Sequence, residues 1–234
     1  MIVEYWSDFT CPFCYIAETR MKRVLKELGI NDQTKIVFKA FELNPESTRE
    51  PKRTIVEGFM RHYCMSEEQA AARVEQISAM GRAEGLDFRY ATAMASNTFD
   101  ALRLTKLAQS KGNDFGNEFV ERMYKAFFSR NLIMSHRDTL EAVASEAGLD
   151  PAEVKELLDG DRYAAEVRAD ENEAYSLGIN AVPFFAVNRR YGIPGAVDAE
   201  DMMRALRQAF NEEEAEAVRP GMVCGPDGCH PADE

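Results

Sequence analysis

Ile2-Val3-Glu4-Tyr5-Trp6-Ser7-Asp8-Phe9-Thr10-Cys11-Pro12-Phe13-Cys14 is the stretch that decides how this chain folds. Ile2 to Trp6 reads as a short strand and Ser7 to Thr10 as a loop. Beyond Cys14, residues Ala17, Met21, Val24, Leu25 and Leu28 share one helical face, and Gly29 stands where a C-terminal cap belongs. Cys11 therefore sits at or just before a helix N-terminus, where unpaired N–H groups and the macrodipole favour a thiolate. Pro12 suits the first helical position because it has no N–H to leave unpaired. Cys14, one turn on, can attack a mixed disulfide formed on Cys11. Thiol–disulfide chemistry needs this arrangement of strand, loop and CxxC at a helix start.

Outward from that stretch, Thr34 to Leu43 reads as a second strand that ends at the turn signal Asn44-Pro45. A pattern of almost continuous helical periodicity follows, to about residue 178. Ser66-Glu67-Glu68-Gln69 forms a capping box, Asn97 caps a helix carrying Phe99, and Asp114 opens another. Ser135 with Asp138 starts a further helix, Asp150-Pro151-Ala152-Glu153 combines a cap with an N1 proline, and a last helix spans about 161–177. The period then changes. Val182 to Val187 and Tyr191 to Ile193 read as paired strands around a tight turn, and Asp198 caps a closing helix. The order βαβ, helices, ββα describes one sheet interrupted by an insertion, since neither half alone closes a core. The expected divisions are residues 1–45 with 179–212, a helical insertion over 46–178, and a flexible tail over 213–234.

Composition narrows the function classes. The 234 residues carry 28 Lys and Arg against 40 Asp and Glu, a formal charge of −12 with no basic block, which argues against nucleic-acid or anionic-membrane partners. No stretch approaches the roughly 18–20 apolar residues of a membrane span. Met1 leads straight into the first strand with no secretory signature, so a cytoplasmic location is the expectation. In that compartment a CxxC is more often catalytic or metal-binding than a structural staple. Of the five cysteines, Cys11 pairs with Cys14, Cys224 with Cys229, and Cys64 is single. Cys64 is expected as a packed small hydrophobe, and His62 and His136 lack partners at catalytic spacing.

Trp6-Ser7-Asp8 leading to Cys11-Pro12-Phe13-Cys14-Tyr15, Asn97-Thr98-Phe99-Asp100-Ala101, and Val182-Pro183-Phe184-Phe185 with Tyr191-Gly192-Ile193-Pro194-Gly195-Ala196 together resemble the DsbA superfamily. Within it they are most similar to the cytosolic FrnE-like branch. The resemblance covers about residues 1–212. It implies an α/β thioredoxin fold with a large all-helical insertion, and disulfide oxidoreductase or isomerase activity without a cofactor. It also implies a cis peptide at Val182–Pro183 that turns the Val182 backbone toward Cys11. Read from sequence alone, Pro183 is equally an edge-strand proline. Secreted members carry a His between their cysteines where this chain has Phe13, so a weaker oxidant is expected here.

These readings give Cys11, Cys14 and Pro183 as the catalytic set, with Cys11 an exposed nucleophile and Cys14 the less solvated resolving thiol. Pro12, Phe13, Val182 and Phe99 are the expected substrate-contacting residues. The expected partners are protein thiols or disulfides, with glutathione or a thioredoxin-type reductant. Cys224-Gly225-Pro226-Asp227-Gly228-Cys229 resembles an extra C-terminal pair in some FrnE-like proteins. Three readings stand: a second redox pair, a local bridge, or a zinc site with His230. The rival functions are a glutathione-dependent isomerase of the hydroxychromene-carboxylate type, which has a Ser where Cys11 stands, and a zinc-binding redox sensor.

Overall fold

The computed structural model describes residues 1–217, 222–225 and 228–231, with side chains as far as residue 215. β1 (Ile2–Ser7) is central in a four-stranded sheet of order β2-β1-β3-β4. It pairs in parallel with β2 (Lys35–Ala40), Ile2 opposite Lys35 and Ser7 opposite Ala40. On its other side it runs antiparallel to β3 (Phe184–Val187), which pairs with β4 (Tyr191–Pro194). A central strand must be covered on both faces, and β1 is buried at every position but the first. Val3, Tyr5 and Ser7 face α1 (Pro12–Glu27), while Glu4 and Trp6 face the opposite side.

α1 ends as its apolar pattern predicts. Gly29 takes the left-handed conformation, with φ at 70°, and the Ile30 N–H closes onto the Leu25 carbonyl at 3.1 Å. Seven helices then separate β2 from β3: α2 (Ile55–His62), α3 (Glu67–Ala83), α4 (Phe99–Ser110), α5 (Asn113–Phe128), α6 (Arg137–Ala147), α7 (Pro151–Asp159) and α8 (Ala164–Ser176). The chain closes with α9 (Ala199–Ala217) and a two-stranded ribbon of β5 (Met222–Gly225) and β6 (Gly228–Pro231). In that ribbon Cys224 lies opposite Cys229. Their side chains, that of His230, and residues Pro226 and Asp227 lie outside the described residues.

One apolar core joins the sheet to the helices, because α5 lays Phe119, Met123, Tyr124 and Phe127 against the α1 side. The opposite face is closed by α8. The indole Nε1 of Trp6 donates to the Asp170 carbonyl at 2.9 Å, and the Asp170 carboxylate accepts the Ala40 N–H at 2.7 Å. Lys39 on β2 completes this seam with Asp170 at 3.3 Å and Glu173 at 2.8 Å.

Several element boundaries differ from the sequence reading, each for a local reason. β2 stops at Ala40 because the Leu43 N–H is taken by Asp8 at 2.7 Å, which bends the chain away from the sheet. α4 has Thr98 at its cap, although Asn97 Oδ1 still accepts the Phe99 N–H at 3.1 Å. α6 starts after His136, and the Ser135 hydroxyl is directed to the Arg49 carbonyl instead. α8 begins at Ala164, three residues later than expected, after Tyr163 in a left-handed turn. β3 begins only after the cis Val182–Pro183 bond. α9 continues five residues past 212, and Glu213 within it pairs with the N-terminal amine at 3.2 Å. α2 starts at a Thr54–Glu57 capping box that the sequence reading passed over.

Candidate active site

The loop from β1 into α1 is set by Asp8, which is only 1% exposed. Its Oδ1 accepts the Thr10 N–H at 2.7 Å and the Thr10 hydroxyl at 2.8 Å. Its Oδ2 accepts the Leu43 N–H at 2.7 Å and the Thr98 hydroxyl at 3.1 Å. Burial pushes the Asp8 carboxyl up, and these four donors oppose the shift without cancelling it. One side chain thus ties the loop before the cysteines both to the segment after β2 and to the start of α4. Beside it Glu42, also buried, accepts Asn97 Nδ2 at 3.0 Å and Arg168 at 2.5 Å, and burial holds its carboxyl above the usual range.

Cys11 occupies the N-cap of α1 in an extended conformation, with no side-chain cap and no acidic residue in the first turn. Its N–H donates to the Asp8 carbonyl at 3.2 Å. Cys11 therefore stands at the positive end of the helix dipole with no carboxylate in the first turn to compete for it. Its thiol points at the Val182 carbonyl, 3.7 Å away, across the cis Val182–Pro183 bond. The expected exposure of Cys11 is corrected: the residue is 2% exposed, because the Val182–Pro183 loop covers it.

Cys14 is fully buried one turn deeper. Desolvation pushes its thiol well up, and the adjoining Cys11 sulfur adds to the shift. A hydroxyl from Ser7 and the Asp8 backbone N–H pull the other way, and the Ser7 hydroxyl is itself bonded to Tyr124. Further along α1, Glu18 pairs with Lys22 at 2.6 Å and raises the buried Tyr5 hydroxyl, after desolvation the next largest cause. Tyr90 lies within electrostatic reach of Cys11, and burial pushes its hydroxyl up.

The structure thus brings Cys11, Cys14, Pro12, Val182 and Pro183 together. Phe13 is half-buried against the core. Phe99 is on the first turn of α4, and its ring lies beneath the Arg168 guanidinium at 4.3 Å. Cys64 is not packed. It is an exposed free thiol in a left-handed turn with φ at 52°, which turns its side chain out between α2 and α3. Among the described residues no group of three or more His, Cys, Asp or Glu is placed to hold a metal ion, and no helix is long and apolar enough to cross a membrane. Sequence reasoning missed Asp8, Ser7 and Tyr124. An Asp two residues before Thr10 was a legible turn signal, whereas Tyr124 carried none.

Residues 2–207 match the model of the DsbA-like thioredoxin domain. A solved structure described as a probable DsbA oxidoreductase from Streptomyces coelicolor is 36% identical, with a TM-score of 0.86 and full coverage of both chains. A 2-hydroxychromene-2-carboxylate isomerase superposes with a TM-score of 0.67 at 15% identity, covering 93% of this chain and 100% of its own. The cytosolic disulfide reductase DsbM from Pseudomonas aeruginosa, solved with glutathione, gives 0.56 at 18% identity, covering 93% and 99%.

Proposed function

Because this chain belongs to the family of DsbA-like thioredoxin domains, we propose that it is a thiol–disulfide oxidoreductase in which Cys11 is the nucleophile and Cys14 the resolving thiol. The observation that carries the assignment is the asymmetry of the pair. Cys11 meets a helix N-terminus and the Val182 carbonyl, whereas Cys14 is sealed off with its thiol pushed well up. The Cys11 thiolate attacks one sulfur of a substrate disulfide, releasing the other as a thiol and forming a mixed disulfide. Cys14 then gives up its proton and attacks Cys11 Sγ, which closes the Cys11–Cys14 disulfide and frees the second substrate thiol. The reverse sequence oxidises a dithiol, and a released mixed disulfide that re-pairs elsewhere is isomerised. An extended substrate would add to the backbone at Val182, beside Pro183, Pro12 and Phe13. Phe99 borders the same region through its neighbour Thr98, the hydroxyl partner of Asp8.

The substrates we propose are protein disulfides, recycled by glutathione or a thioredoxin-type reductant, in the manner of the FrnE-like branch. A cytoplasmic setting suits the exposed free thiol of Cys64. Residues 46–178 would act as the insertion that shapes the substrate face, and Cys224–Cys229 as a second pair that exchanges with the first. Insulin reduction should vanish in Cys11→Ser, while Cys14→Ser should accumulate mixed disulfides. Faster alkylation of Cys14 than of Cys11 at mildly acidic pH would reverse the roles. Isomerisation of a hydroxychromene carboxylate with glutathione that survives Cys14→Ser would replace this reading with that of the isomerase. Truncation after Ala217 should change exchange rates while leaving the fold intact, and unchanged rates would remove the tail pair from the mechanism.

A further inference from the structure

Cys14 has to lose its proton before it can attack Cys11, yet it is fully buried. A thiolate formed there has no water around it and depends on donors fixed by the fold. Two reach its sulfur, the Asp8 backbone N–H and the Ser7 hydroxyl. The first is a rigid dipole. The second is a side chain with one proton to give, and its own buried oxygen needs a donor in turn. That partner is the hydroxyl of Tyr124, which comes from α5, in the helical region between β2 and β3. Ser7 and Tyr124 are as fully buried as the thiol they adjoin.

Tyr124 is gripped by both flanks of the cysteine motif. Its ring meets Phe9 edge-on at 5.3 Å and stacks on Tyr15 at 4.8 Å between centroids. Phe9 stands two residues before Cys11, and Tyr15 directly follows Cys14. Burial pushes the Tyr124 hydroxyl well up, which keeps it a donor throughout the neutral range. The other titratable groups around Cys14 are committed elsewhere. Tyr5 on β1 is engaged with Glu18, and Glu18 on α1 with Lys22 at 2.6 Å. The Asp8 carboxylate is spent on Thr10, Leu43 and Thr98. Cys11 is bonded to the substrate at the moment when Cys14 attacks.

We infer that Ser7 and Tyr124 form a hydroxyl relay that stabilises Cys14 as the attacking thiolate, Ser7 donating to the sulfur and Tyr124 donating to Ser7. The inference rests on the oxidoreductase reading and adds to its second step a catalytic residue, Ser7, and a positioning residue, Tyr124. While Cys14 is a thiol, its S–H points to Ser7 Oγ and Ser7 donates to Tyr124. When the proton leaves, both hydroxyls rotate and direct their protons toward the sulfur, with no change in their own protonation. The Cys14 proton passes to the substrate thiolate released in the first step. Cys14 Sγ then bonds to Cys11 Sγ, and the bond from Cys11 to the second substrate sulfur breaks. That sulfur leaves as a thiolate and takes up the proton that Cys11 had given up, so the substrate disulfide is reduced as the pair is oxidised. The relay acts on this second step, because the Cys11 thiol faces the Val182 carbonyl at 3.7 Å instead. It therefore sets how long a mixed disulfide lives.

The test times the two steps separately. The pre-reduced full chain is mixed with hydroxyethyl disulfide, stopped in acid at intervals, blocked with N-ethylmaleimide under denaturing conditions and digested with trypsin. The peptide of residues 1–20 holds Cys11, Cys14 and no other cysteine, so its mass separates the mixed disulfide from the closed pair. Ser7→Ala should leave formation of the Cys11 mixed disulfide unchanged and slow its conversion to the Cys11–Cys14 disulfide about tenfold, the loss of one hydrogen bond to a charged group. Tyr124→Phe keeps the ring packing and should slow the same conversion about threefold, the loss of a neutral hydrogen bond. In both variants the pH at which conversion stops accelerating should move upward, a change that a packing defect does not produce. Ser7→Thr restores a hydroxyl and should return most of the rate. Conversion at the unaltered rate in both Ser7→Ala and Tyr124→Phe, or equal slowing of both steps, overturns the relay while leaving the oxidoreductase reading in place. If the unaltered chain forms neither the mixed disulfide nor the closed pair, the oxidoreductase reading fails, and this inference with it.

Discussion

Replacing Asp8 tests the element that holds the cysteine loop in place. Its two carboxylate oxygens accept two backbone N–H groups, of Thr10 and Leu43, and two hydroxyls, of Thr10 and Thr98. Hydroxyls can rotate to new partners, but the N–H groups cannot. An unsatisfied buried donor costs about 1–3 kcal/mol. Asp8→Ala leaves both N–H groups without an acceptor and should cost about 2–6 kcal/mol on that basis, a large part of the roughly 5–15 kcal/mol typical of a folded domain. Asp8→Asn keeps one oxygen, orphans one N–H, and should cost about 1–3 kcal/mol. Urea unfolding followed by the fluorescence of Trp6 measures both as a shift of midpoint at constant slope. The pH dependence has a definite sign. Burial raises the folded Asp8 carboxyl above its unfolded value, so its contribution is fully present below about pH 3.9, the unfolded value, and is lost as pH rises through the folded value. Asn does not titrate, so the Asp8→Asn penalty should be larger near pH 4 than at pH 7. A cost below about 1 kcal/mol for Asp8→Ala, under the cost of even one orphaned donor, would refute the clasp. So would an Asp8→Asn penalty that grows toward neutral pH.

Further outcomes follow from packing and accessibility. Gly81→Ala, which would stabilise an open helical site by up to about 1 kcal/mol, should instead destabilise by about 1–3 kcal/mol, because a Cβ there would stand 2.6 Å from the Phe88 ring, which is stacked on Phe128. A rise in midpoint would show that the ring yields freely. Arg103→Met should cost about 3–5 kcal/mol. Arg103 is buried and donates to the carbonyls of Leu157 at 2.6 Å, Gly160 at 2.7 Å and Arg162 at 2.9 Å, besides pairing with Asp100. Hydrogen exchange should show α7 losing protection first, and unchanged exchange there would contradict the role. Peptide mapping after brief alkylation of the native protein should find Cys64 modified and Cys14 untouched, with Cys14 labelled only on global unfolding. Early labelling of Cys14 would mean that the site opens locally.

How far the sequence could be read depends on how local the determining interactions are. The helix start at Cys11-Pro12 follows from backbone groups within a few residues, as does the capping box at Ser66 and Gln69, and both stand where expected. The strand order could be inferred because a βαβ unit and a ββ hairpin allow few ways to complete one sheet. Boundaries failed where a distant partner took over a backbone group: Asp8 captured Leu43 and shortened β2, and Glu213 bound the chain's own N-terminus within a longer α9. Cys64 failed for a related reason, since its apolar neighbours say nothing of a left-handed turn that points the thiol outward.

From sequence alone, then, came the closeness of Cys11 and Cys14, their place at a helix N-terminus and the interrupted sheet, because spacing and periodicity along the chain encode them. The covering of Cys11 by Val182, the Ser7–Tyr124 hydroxyls beside Cys14 and the four donors on Asp8 were decided by tertiary structure. Each joins groups whose separation in sequence carries no periodic signal, and whose meeting depends on how the helices between β2 and β3 pack back over the end of β1.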